Sequence, residues 1–270
     1  MPLSDSLDLP ERLAGVAAKI DRANELLDEI RAEAEAFLAG PSYELRGVYD
    51  ATTHTWEQRV HIVREPPLRL GVIVGDYVHN VRSALDQLVW QLVLLNGGKP
   101  TRRNQMPIED TPAKFAESAK RMLRGVSVGH RASLERAQPY HAAGDLIEHP
   151  LRVLRELSNL DKHRVVHPAY SFLSDADPPT LSPQGSGPYG VKRILMARNA
   201  RVEEGTVVFR IELQPDEPPP RAVDVSGHIV IDTAFGDDHV DARFLPELLR
   251  YLLRIVGSVM GDFPPAEHAS

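Results

Sequence analysis

The stretch RLGVIVGDYVHNVRSALDQLVWQLVLL, residues 69–95, decides the fold class. Within it Val74, Val78, Val81, Leu85, Leu88, Leu92 and Leu95 recur at alternating steps of four and three. That spacing lays one apolar stripe along an α-helix. Gly97-Gly98 supplies the C-terminal stop. Just upstream, residues 43–64 change period. Val60 and Ile62 alternate with Arg59 and His61, while Tyr43, Leu45, Gly47 and Tyr49 hold alternate positions before the polar run Asp50-Ala51-Thr52-Thr53-His54. This predicts a β-hairpin, ended by Pro66-Pro67. Further upstream, Leu13, Val16, Ile20, Leu27, Ile30 and Phe37 predict one long helix over residues 8–40, ended by Gly40-Pro41.

Downstream, residues 100–150 read as irregular, with short helices near 111–124 and 129–137. Thr111-Pro112 suits an N-cap followed by proline at the first helical position. Residues 148–166 predict another buried helix, closed by Pro168. Residues 174–190, with four prolines and three glycines, predict a loop. Val207, Phe209, Ile211 and Leu213 alternate after Glu204-Gly205, which suits a hairpin turn. Val223, Val225, Ile229 and Ile231 suggest another strand. Residues 244–260 read as an amphipathic helix. The expected class is α+β: a helical bundle with a long N-terminal helix, an N-terminal β-hairpin and a C-terminal antiparallel β segment. The two β segments are candidates to pair in one sheet. The interleaved segments favour a single domain over residues 1–263, with 264–270 as a frayed tail.

Composition narrows the function classes. The 270 residues contain no cysteine, so disulfides, cysteine zinc sites and thiol nucleophiles are excluded. The start, MPLSDSLDLPERLAG, lacks the basic and apolar regions of a secretory signal. No uncharged apolar run approaches the ~18 residues of a membrane span. A cytoplasmic protein is expected. The formal net charge is −7, against the basic surface that broad nucleic-acid binding needs. No cofactor motif is present: Gly71-Val72-Ile73-Val74-Gly75-Asp76 has neither Walker nor Rossmann spacing, and no Gly-x-Ser-x-Gly elbow occurs. Trp56 and Trp90 read as packing residues.

Ionisable residues crowd two otherwise apolar helices. In the first, at about 100° per residue, His79, Arg82 and Asp86 fall on one flank of the stripe, with Asp76, Asn80 and Gln87 further towards water. In the second, Asp161 projects into the arc of Leu151, Leu154, Leu157, Leu160 and Val165, with Arg164 beside it. An unpaired buried carboxylate costs several kcal/mol, so Asp161 requires a partner, with Arg82 or Arg164 the natural candidate. The expected interhelical cluster is His79, Arg82, Asp86, Asp161, His163 and Arg164, with Asn80, Lys162 and His141 as substrate-binding candidates. His163 and His167 have metal-pair spacing but lack the zincin glutamate, and Pro168 disfavours helical geometry at His167. No metal or other cofactor is assigned.

The segments HNVRSALDQLVWQL (79–92) and LSNLDKHRVVH (157–167) resemble the two hallmark stretches of an actinobacterial-type family of uncharacterised bacterial proteins. That resemblance implies no particular activity. A more distant similarity is to the HEPN helical-bundle superfamily, whose ribonucleases carry an Arg and a His four to six residues apart on one helix. Here Arg155 and His163 have seven residues between them, and Arg164 and His167 have two.

Three functions remain open. One is an acid–base hydrolase or ribonuclease-like enzyme, with His163 as acid–base oriented by Asp161 or Asp86, and Arg82 and Arg164 on a phosphate. Its partner would be a small anionic ligand or RNA. The second is a non-enzymatic binding or self-assembly protein, in which the cluster is a structural clamp and the first and last helices offer faces for a homo-oligomer. The third is a metal-dependent hydrolase using His79, Asp86, Asp161 and His163.

Overall fold

The computed structural model describes residues 11–142, 149–163, 168–172, 180–184, 191–196, 201–214, 222–226, 231–235, 240–241 and 244–260. It is α+β. Its helices are α1 (Ala14–Leu38), α2 (Leu68–Leu95), α3 (Pro112–Met122), α4 (Val128–Arg136), α5 (Pro150–His163) and α6 (Phe244–Met260). A 3-10 turn, Glu11–Leu13, precedes α1 and another, Pro139–His141, follows α4. The strands are β1 (Tyr43–Asp50), β2 (Thr55–Ile62), β3 (Pro168–Phe172), β4 (Thr180–Gln184), β5 (Val191–Met196), β6 (Arg201–Val202), β7 (Val207–Leu213), β8 (Ala222–Ser226), β9 (Ile231–Phe235) and β10 (Val240–Asp241). The segments interleave, as expected, and gather into two compact units. A helical unit takes residues 1–32, 69–166 and 243–270, and a sheet unit takes 33–68 and 167–242.

In the helical unit, α2 buries Val74, Tyr77, Val78, Val81, Leu85, Leu88 and Leu92 completely. Each such side chain contributes about 1.5–3 kcal/mol relative to exposure. Together they outweigh the ~1 kcal/mol penalty of each helical glycine at 71 and 75. The Tyr77 hydroxyl donates to the Leu245 carbonyl at 2.6 Å, tying α2 to α6. Gly15 of α1 faces α2 at the Gln87 side chain, whose Oε1 lies 2.7 Å from where a Cβ would stand. Thr111 caps α3 and Ser127 caps α4 through their hydroxyls. Trp90 is exposed, contrary to the packing role expected of it.

The sheet unit contains the expected hairpin. β1 and β2 pair antiparallel, and Asp50, held by the Thr52 N–H at 2.8 Å, begins the turn. The two β segments do share a sheet, in the order β1-β2-β7-β5, antiparallel throughout. Its core face carries Trp56, Val60, Phe209, Ile211 and Leu213, packed with Phe37, Val202 and Val208. Gly47 leaves room for the Trp56 indole, which a Cβ would overlap. Three expectations need correction. The proline-rich 174–190 loop contains strand β4, which pairs with β8 through its backbone. The Glu204-Gly205 turn forms, with Gly205 at φ 78, but β6 belongs to the sheet β10-β9-β3-β6 and does not pair with β7. The strand expected across 223–231 is two strands, β8 and β9, in different sheets. The expected helix ends at 164–166 and the tail 264–270 lie outside the described residues.

Candidate functional site

The α2 flank carries the expected His79, Arg82 and Asp86, with Arg82 meeting Asp86 one turn on, but it does not bring Arg82 to Asp161. Arg82 Nε donates to Asp86 Oδ2 at 3.2 Å, and Arg82 Nη2 stands 3.1 Å from Asp86 Oδ1. The same guanidinium donates to the Met106 carbonyl at 2.7 Å, and the Met106 N–H donates to Asp86 Oδ1 at 2.9 Å. The pair thus closes on both backbone groups of one residue. Burial pushes the Asp86 carboxyl above its usual range, against the opposing pull of Arg82, the Met106 N–H and Lys162.

The rest of segment 104–110 is held the same way. Asn104 Nδ2 donates to the carbonyls of Met122 and Arg124. Gln138, fully buried, donates to the Pro107 carbonyl at 3.0 Å and accepts from the Glu109 N–H at 2.9 Å. Arg155 of α5 donates to the Ile108 carbonyl and meets Asp110 Oδ2 at 2.8 Å. Reading the sequence missed these residues because they act mainly on backbone, at separations of 18 to 47 residues, with no periodic signal.

Asp161 is exposed, which corrects the expectation of a buried carboxylate. It does lie against α2: a Cβ on Gly75 would overlap its Oδ1 and stand 3.0 Å from its Cγ. Its carboxylate makes no ion pair with Arg82, whose carboxylate partner is Asp86. Asn80 corrects a second expectation, because it is buried. It accepts from Lys19 Nζ at 3.0 Å and donates to the Asp76 carbonyl at 2.8 Å. His79 is exposed, with Nε2 3.4 Å from Ser83 Oγ. Lys162 is exposed and acts on Asp86 electrostatically. His141 closes its 3-10 turn, exposed, with its ring against Tyr140. His163 ends α5 and its side chain lies outside the described residues, as do Arg164 and His167. Among the described residues, no three His, Asp or Glu side chains converge as a metal site, and no helix is long and apolar enough to cross a membrane.

A histidine not anticipated as special is the best defined in the helical unit. His149 is the N-cap of α5: its Nδ1 accepts from the Leu151 N–H at 3.2 Å, and Pro150 takes the first helical position. Nδ1 therefore carries no proton. Nε2–H donates to the Tyr251 hydroxyl at 3.1 Å, which donates to the Ala137 carbonyl at 2.9 Å. Burial pushes His149 down to about 4, so the ring is neutral.

The sheet unit holds a cavity of about 450 Å³, lined by Asp50, Thr53, His54, Thr55, Glu57, Lys192, Arg210, Glu212 and Leu213. It sits at the hairpin end of the face opposite the core, where Asp50, Thr55, Glu212 and Arg193 share one register row and Glu57 and Arg210 share the next. Glu57 is buried, with Arg210 Nε at 2.7 Å on Oε1 and Arg59 on Oε2. Burial alone would raise its pKa; the two guanidiniums outweigh that and hold it below the usual range.

No family model, no curated protein and no solved structure matches the chain.

Proposed function

We propose that the chain is a non-enzymatic binding protein in which Arg82 and Asp86 form a structural clamp. The observation that carries this reading is the double contact with Met106: guanidinium on its carbonyl, carboxylate on its N–H. The Asp86 carboxylate and two of the three guanidinium nitrogens of Arg82 are thus spent on each other and on backbone, which favours a structural over a phosphate-binding role. The exposure of Asp161 supports the same reading, since among the described residues it forms no ion pair with Arg82. Two measurements test it together. Asp86→Ala lowers the thermal midpoint, while Asp161→Ala and Lys162→Ala leave the stability within about 0.5 kcal/mol of the parent, as surface changes do. Incubation with a fluorogenic phosphodiester and with a short RNA gives no turnover. Turnover that disappears in His79→Ala would overturn the proposal.

A second reading, acid–base chemistry on a phosphate-containing substrate or RNA, draws on one observation. His79 is solvent-facing, within long hydrogen-bond reach of the Ser83 hydroxyl, on the flank that also carries the clamp. The same turnover assay decides it.

A further inference from the structure

We infer that the cavity at the hairpin end of the β1-β2-β7-β5 sheet binds a short zwitterion of the peptide type, with its ammonium on Asp50 and Glu212 and its carboxylate on Lys192. The inference deepens the binding reading by giving it a site and a ligand class; it does not depend on the clamp.

Two local departures from regular structure and one buried, ion-paired carboxylate converge on this cavity. His54 is the one described non-glycine residue with a left-handed backbone, at φ 51. Such a conformation costs of order 1 kcal/mol and persists only where the surroundings fix it. Here the His54 carbonyl accepts from the Leu213 N–H at 2.9 Å, and its Nδ1 meets the Tyr49 hydroxyl at 3.3 Å. The β5–β7 register breaks between Val191 and Arg193, so Lys192 is the extra residue of a bulge. Bulges re-aim side chains, and this one contributes Lys192 to the cavity lining. Glu57, finally, is a buried carboxylate held by two arginines on the sheet face away from the apolar core. Its pairing with Arg210 fixes that wall and removes both from ligand duty.

The remaining groups define the ligand. The Glu212 and Lys192 side chains, which line the cavity, have no hydrogen-bond or ion-pair partner among the described residues. Asp50 has one oxygen on the Thr52 N–H, which with the Thr53 hydroxyl holds it ionised below the usual carboxylate range. Thr53 and Thr55 bring their hydroxyls within 2.7 Å of each other. A purely anionic ligand would face two carboxylates. A purely cationic one would meet Lys192. A zwitterion answers both, and its peptide N–H and C=O groups match the Thr53, Thr55 and His54 side chains. The volume falls within the roughly 300–1,000 Å³ of small-molecule sites.

The test uses the full ¹⁵N-labelled chain and trialanine with free termini, against N-acetyl-trialanine and trialanine amide. Free trialanine is expected to bind saturably, shifting the amides of Thr53 to Thr55 and Lys192. Each blocked form is expected to bind at least about tenfold more weakly, because each loses one charge-assisted contact. Glu212→Gln should weaken the discrimination against the acetylated form, Asp50 remaining to hold the ammonium, and Lys192→Ala should remove that against the amide, both with an unchanged thermal midpoint. Absence of saturable binding, or equal binding of all three peptides, overturns the site and leaves the clamp standing. Phosphodiester turnover would overturn the non-enzymatic reading and leave this site standing.

Discussion

Removing the Asp86 carboxylate is the sharpest test of the clamp. In Asp86→Ala the Met106 N–H loses its 2.9 Å acceptor and Arg82 loses its counter-charge, keeping only the Met106 carbonyl. An orphaned, partly buried N–H costs about 1–3 kcal/mol, and a charge left without its partner adds to that. Against this runs a gain: Asp86 is raised by burial, so deleting it relieves a desolvation penalty. The net expected loss is about 2–3 kcal/mol. With roughly 2–4 °C per kcal/mol for a domain of 150–250 residues, the midpoint should fall by about 5–10 °C. Differential scanning calorimetry reads the shift. Hydrogen exchange should show the Met106 amide losing protection while the α2 amides keep theirs. Arg82→Ala and the double variant complete a cycle, in which the coupling should exceed about 1 kcal/mol. A midpoint within about 1 °C of the parent, or equal loss in Asp161→Ala, would refute the clamp.

Three further outcomes follow from the same geometry. The depressed His149 makes the unfolded state bind more protons between pH 6.5 and about 4. Stability should therefore be complete above pH 6.5 and fall as pH drops through that window. The full shift is worth about 3 kcal/mol, or roughly 2 after allowing for solvent screening; denaturant titrations at several pH values should show this slope, and His149→Asn, which keeps a capping acceptor, should flatten it. Gly75→Ala should stabilise the Asp161→Ala background by about 1 kcal/mol through helix propensity and the parent by clearly less; the same effect in both, by urea unfolding, would contradict the close approach of Asp161. Tyr77→Phe, which deletes the 2.6 Å bond to the Leu245 carbonyl, should cost about 1–2 kcal/mol of stability with the secondary structure intact by circular dichroism; an unchanged midpoint would remove that tie between α2 and α6.

How far the sequence could be read depended on whether the responsible physics was local. The α2 stripe, the β1-β2 hairpin and the limits of α6 are periodic signals, and they emerged where expected. Partner strands were harder. The β7 alternation was visible, but nothing in Glu204-Gly205 says that the preceding β6 joins another sheet, because pairing is set by tertiary neighbours. Asp161 marks the boundary most clearly. Its azimuth was read correctly: it lies on the arc of Leu154 and Leu157 and meets α2 at Gly75. Its depth was not, because an azimuth says nothing about how far along the axis the covering core extends, and position 161 falls in the last turn of α5. Periodicity places Arg82 beside Asp86 one turn away and offers it as one of two candidates for Asp161; the geometry keeps the first contact, omits the second and adds the irregular segment at Met106. A segment without period is invisible to such a reading, yet it has the most backbone groups in need of partners. Charged residues on the flank of a core helix next to such a segment are therefore better read first as its hydrogen-bond partners, and as catalytic groups only when its N–H and C=O groups are already satisfied.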